Sequence, residues 1–215
     1  METQQNNITA RGTAAADLVS ALPDLALGGL FLLTWISPYA IDEKMLSYLV
    51  LVVLMEFIII HSSGFLGVVM FLPWAKPKRL ASLVGLGLFY TMFVSAFCVA
   101  FGEWWPLGAF WLMIGNRLLG VLLGQSPEGA ERGFLIRSWA LSVFFYILAV
   151  FAPLLLTPPE FGITSEAVAR QSFEIGGEWT ASPQIAIASG FLYFSALGVS
   201  ELFGHRWLVK ATEGL

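Results

Sequence analysis

Residues 46–71, LSYLVLVVLMEFIIIHSSGFLGVVMF, constrain this chain more than any other stretch. About twenty apolar residues make a helix long enough to cross the hydrocarbon core of a bilayer, and this run exceeds that length. Near its middle it carries Glu56, His61, Ser62 and Ser63. A carboxylate and an imidazole at that depth cost free energy unless they are paired or hydrated. The run therefore predicts a membrane helix that buries polar groups. Composition agrees: 57% hydrophobic against 12% charged residues lies well outside the soluble globular range.

The rest of the chain repeats the pattern. Apolar segments at residues 23–41, 45–73, 80–101, 107–124, 134–156 and 184–204 predict an all-α, polytopic bundle of six transmembrane helices. Short polar or proline-bearing turns separate most of them, and one long acidic connection, 157–183, precedes the last. Residues 1–22 are polar to mildly amphipathic, with 14–22 suited to a short interfacial helix. They lack the charged-then-apolar order of a signal peptide. Residues 207–215 read as a tail.

The basic residues choose an orientation. With a cytoplasmic N-terminus, Arg11, Lys76, Lys78, Arg79, Arg132, Arg137, Arg206 and Lys210 fall inside, and Lys44 and Arg170 outside. That asymmetry follows the positive-inside rule, and six crossings return the C-terminus to the cytoplasm. Trp35, Tyr39, Trp74, Trp104, Trp105, Trp139 and Trp207 then stand near span ends, as interfacial aromatics do. The expected location is a plasma membrane or bacterial inner membrane. The sequon at Asn7 falls on the cytoplasmic side, where glycosylation has no role. In the long connection, Thr164-Ser165-Glu166 predicts a short helix with a hydroxyl cap and an acid in its first turn. Packing on the span ends is the expected role, with a lid over an outer pocket as the alternative.

Glu56, His61, Ser63, Asn116 and Arg117 form the expected mid-membrane polar cluster. Glu56 and Ser63 are seven residues apart and share a helical face, whereas His61 is turned roughly 140° from Glu56. Counting helix rise from the span midpoints puts Glu56 and Arg117 within about 7 Å of each other in depth. A lone arginine there is costly, and its guanidinium matches a carboxylate, so the expectation is an interhelical Glu56–Arg117 ion pair. Such a pair serves equally as structural glue or as a transport or proton site.

Glu201 and His205 are four apart at the expected cytoplasmic end of the last span, a spacing that suits a metal or a proton relay. Snorkelling, solvated side chains are the expected reading at that depth. Ala196, Ser200 and Gly204, and likewise Gly120 and Gly124, repeat every four residues and predict faces of close helix approach, within the bundle or between subunits.

Sharper chemistries find little support. Two histidines at different depths do not make a bis-histidine haem site within one chain, which leaves only a His61 pair across a dimer open. The ligands are too few for a metal-dependent membrane enzyme. Ser62 or Ser63 as a nucleophile lacks a base at the right depth. Gly85 and Gly87 lie inside a span, without the strand–turn–helix setting of a nucleotide loop. Cys98, the single cysteine, reads as a small core residue and rules out an intrachain disulfide. No basic nucleic-acid surface is present, and no cofactor is expected. Inverted three-span halves leave little echo in the sequence.

The leading functional expectation is a small transporter, channel or proton-linked component whose path passes the polar cluster. A non-catalytic accessory subunit of a larger membrane complex, or a homo-oligomer, is the alternative. A membrane-embedded enzyme or haem carrier comes third. The lipid bilayer is the expected partner in every case.

Overall fold

A computed structural model describes residues 2–125, 127–171 and 178–205. The tail 207–215 and residues 172–177 of the long connection lie outside the described residues, and with them Arg206, Trp207 and Lys210. Eight helices make up the described chain: α1 (Glu2–Ile36), α2 (Met45–Phe71), α3 (Lys76–Phe101), α4 (Trp105–Leu122), α5 (Gly129–Leu156), α6 (Ser165–Arg170), α7 (Glu178–Ala181) and α8 (Pro183–Leu202). Six of them are long and apolar enough to cross a membrane, and no strand occurs among the described residues. The chain is an all-α, multi-pass membrane protein.

Helix boundaries follow local chemistry. Pro77, Pro106 and Pro183 each sit in a first turn, where the missing N–H has no intrahelical role. α1 stops before Ser37-Pro38, since proline disfavours the helical conformation in the residue preceding it. The first span differs from expectation. α1 continues through Pro23, so its apolar stretch is Ala15–Ile36 rather than 23–41, and no separate interfacial helix precedes it. Neighbouring helices make an internal proline tolerable in a membrane helix.

α8 is the central helix. In its apolar stretch 61% of residues are buried, against 17% for α5. α1 packs along it more extensively than any other pair, and α5 and α2 close two further sides. α2 divides the bundle. One face joins α1, α5 and α8 around Phe31, Leu46, Val53, Ile187, Tyr193 and Phe194. The other joins α3 and α4 around Leu51, Met55, Leu83, Tyr90, Phe110 and Ile114. The outer surface shows Met92, Leu112, Phe144 and Phe151, each more than half exposed and suited to lipid.

At the end opposite the chain termini, the connection after α5 folds back over α1. Trp35 Nε1 donates to Pro159 O at 2.8 Å, Tyr39 OH to Ala167 O at 2.6 Å and Gln171 Nε2 to Glu43 O at 2.6 Å. Thr164 caps α6 by accepting from Ala167 N at 3.3 Å, the hydroxyl cap anticipated above. Lys44 and Glu103 pair at 3.1 Å and tie the start of α2 to the α3–α4 turn.

Candidate functional site

Close packing of α1 on α8 places the site. A Cβ at Gly190 would stand 2.2 Å from the Phe31 ring, and one at Gly198 2.8 Å from Leu25. Gly28 faces Ser195 in the same way, at 2.7 Å. Glycine at three levels thus lets two antiparallel helices approach until Asp24 of α1 stands beside Glu201 of α8, near enough for the two carboxyls to interact. Two adjacent carboxyls can share a hydrogen bond only when one of them carries a proton. Glu201 Oε2 is buried and has no hydrogen-bond partner among the described residues.

Glu56 of α2 stands about two helical turns further along α8, at the level of Tyr193. Tyr193 OH donates to Glu56 Oε1 at 2.7 Å, and Ser142 of α5, whose Oγ donates to Ser138 O at 3.1 Å, lies near the same tyrosine. Asp24 is close enough for its charge to act on both Glu56 and Tyr193. Asp24, Glu56 and Glu201 therefore stand on three packed helices within membrane spans. The ion pairs among the described residues, Lys44–Glu103 and Arg170–Glu166, are both elsewhere. Carboxyls half-buried inside membrane spans without a cation are costly as charged groups, so proton occupancy is the variable this arrangement can change. The three do not come together as a metal-binding group.

The expected five-residue cluster divides instead among several partners. Arg117 Nη2 donates to Ser63 Oγ at 3.3 Å, and Ser63 Oγ lies 3.8 Å from Met113 Sδ. Glu56 and Arg117 do not form the anticipated ion pair. Ser63 is two helical turns, about 10 Å, further along α2 than Glu56, and the long arginine side chain runs towards that level. His61 is exposed on the outer flank of α2, where Tyr90 OH and its Nδ1 share a 2.8 Å hydrogen bond and Phe57 stacks at 5.9 Å. Asn116 is exposed. Equal depth is not convergence when side chains leave their helices in different directions.

Glu201 and His205 also separate. α8 ends at Leu202, where His205 N bonds Ser200 O at 3.1 Å and Gly204 N bonds Glu201 O at 2.7 Å. Gly204, at φ 56°, takes the left-handed position that this six-to-one, five-to-two closure requires. α4 ends identically: Gln125 N bonds Gly120 O, Gly124 N bonds Val121 O, and Gly124 has φ 77°. The four-residue spacings Gly120/Gly124 and Ser200/Gly204, expected to mark helix packing, coincide with two helix-end motifs. Ala196 is half-buried on α8, one position from the Ser195 contact.

The closure turns His205 back so that its Nδ1 and Ser200 Oγ share a 2.8 Å hydrogen bond, with the ring against Phe134. Burial holds this imidazole below its usual pKa, Arg137 pushes it further the same way and Asp17 opposes both. Asp24 and Tyr193 are the site residues that sequence reasoning missed. No family model, curated protein or solved structure matches this chain.

Proposed function

We propose that the chain is a proton-linked transporter or channel of the membrane, in which Asp24, Glu201 and Glu56 pass protons between the terminal end and mid-membrane. The observation that carries this reading is that Asp24, Glu56 and Glu201 stand on three packed helices inside membrane spans, with Tyr193 donating to Glu56 and none of the three in an ion pair found among the described residues. Each has a distinct part. Glu201 and Asp24 hold a proton between them, and Asp24 and Tyr193 connect that pair to Glu56. Acidic and hydroxyl side chains inside spans are the usual material of proton relays. Ser200, His205, Arg137 and Asp17 gather where such a relay meets the terminal end. Beyond Glu56, Tyr146 meets Tyr193 edge-on at 5.5 Å and lines a space of about 380 Å³ with Phe57, Phe97 and Trp179.

The terminal end is cytoplasmic in this proposal. Lys76, Lys78, Arg79, Arg132 and Arg137 lie towards it, whereas Lys44 and Arg170 lie at the opposite end, as the positive-inside rule requires. The accessory-subunit alternative drew on the small-residue repeats, and two of those belong to helix-end motifs.

The test is proton movement into pyranine-loaded proteoliposomes under an imposed potassium diffusion potential. The wild-type chain is expected to admit protons faster than protein-free vesicles. Glu56→Gln keeps an acceptor for Tyr193 and is expected to return the rate to background with the melting curve retained. Equal rates for wild-type and protein-free vesicles would sink the proposal.

A further inference from the structure

On the other side of α2 the chain leaves a groove of about 410 Å³ between α2, α4 and α5, with Gly64, Gly67 and Val68 on one wall and Leu135 and Ile136 on another. Towards the terminal end it continues into a space of about 320 Å³ that shares Phe71 and Arg132 and adds Arg79 and Glu128. The groove opens sideways, since Val68, Leu135 and Ile136 are all exposed. Its walls are apolar apart from two guanidiniums, Arg117 and Arg132.

Those arginines select the occupant. Arg117 spends one hydrogen bond on Ser63 Oγ, and Arg132 lies over the Phe71 ring at 4.9 Å. Neither takes part in the ion pairs found among the described residues. An arginine in a membrane span with no countercharge is costly, and guanidinium is the side chain best matched to phosphate. Gly64 to Phe71 covers about 10 Å of helix rise, so the groove runs from mid-membrane towards headgroup level.

We infer that this groove holds one anionic phospholipid of the terminal-side leaflet. Its phosphate binds Arg132, with Arg117 as the deeper cation, and one acyl chain lies against Gly64, Gly67 and Ile136. The inference goes beyond the carboxyl relay, and neither depends on the other.

The experiment is native mass spectrometry of the full chain, washed in mild detergent after exposure to mixed micelles of phosphatidylglycerol and phosphatidylcholine in equal amounts. One phosphatidylglycerol per chain is expected to stay bound, in preference to phosphatidylcholine. Arg132→Gln and Arg117→Gln should each lower retention roughly tenfold, the effect of losing a charge-assisted hydrogen bond. Gly67→Leu keeps both guanidiniums and fills the groove, because a Cβ there meets only Phe71 at 3.8 Å. It should lower retention comparably, and it decides the matter if Arg117→Gln fails to fold. Equal retention of the two lipids, or retention unaffected by Gly67→Leu, would overturn the inference. So would displacement of the lipid by an equal concentration of free fatty acid or inorganic phosphate, or a bound polypeptide in its place.

Discussion

The two faces of α2 solve the same problem, how to keep charge inside a membrane, by opposite means. Towards α1 and α8 the helices are drawn together by Gly28, Gly190 and Gly198, and the charged groups deep in that contact are acids, Glu56 accepting from Tyr193 and Asp24 beside Glu201. Towards α4 the helices stand apart, and the charged groups are arginines bordering a groove open to lipid. Acids can shed their charge by taking a proton, so they tolerate tight, dry packing. Arginine cannot, because its pKa lies beyond reach. It needs space for an anion or for water. Packing density and charge sign are thus coupled.

The largest effect tests the density half of that comparison. Gly190→Ala places a methyl 2.2 Å from the fully buried Phe31 and is expected to cost about 3 kcal/mol or more in thermal unfolding in detergent. Gly67→Ala, on the open side, should leave the melting temperature nearly unchanged. Equal effects would mean that the two faces are packed alike. Next comes the acid half. Tyr193→Phe removes the donor to Glu56 and should cost about 2 kcal/mol, with Glu56→Gln in the same background recovering part of it.

Smaller effects concern the seam between the faces. Trp139 Nε1 donates to Ile60 O and Tyr146 OH to Val53 O, both at 2.9 Å, so α5 grips the backbone of α2 at two points seven residues apart on each helix. Trp139→Phe and Tyr146→Phe should each cost about 0.6 kcal/mol, the typical value of a hydrogen bond in the membrane, and the costs should add because the points are separate. The smallest effect is a pH slope. His205 has a pKa below its unfolded value of 6.5, so the unfolded chain binds more protons. Its contribution to stability is complete above that value and lost as pH falls through and below it. His205→Asn, which suits the left-handed backbone there, should flatten this part of the melting-temperature profile.

The six spans were legible because apolar length is a one-dimensional property, readable without knowing which helices touch. The site was not, for three separate reasons. Asp24 was overlooked because Pro23 looked like the start of a helix, whereas α1 runs through it and carries Asp24 into the membrane. Tyr193 reads as one more aromatic in a core helix, and only the fold shows where its hydroxyl points. Arg117 and Glu56 agree in depth, but helix rise says nothing of azimuth across two helices. The glycines carry a further lesson. Spacings of four at Gly120/Gly124 and Ser200/Gly204 mark helix ends, while Gly190 and Gly198, eight apart on one face, mark the close contact.

The α1–α8 contact has a consequence for biogenesis. These two helices are each other's principal neighbours, yet all of α2 through α7 lies between them in the sequence. α1 enters the bilayer with the small side of Gly28 unfilled and with an aspartate whose partner does not yet exist. Until α8 is synthesised and inserted, that aspartate must be protonated, hydrated or guarded by the insertion machinery. A ribosome stalled within α7 would therefore leave an incomplete bundle with a polar scar facing lipid, the kind of species that membrane quality-control proteases recognise. Asp24 and Glu201 become neighbours only once α8 has packed on α1.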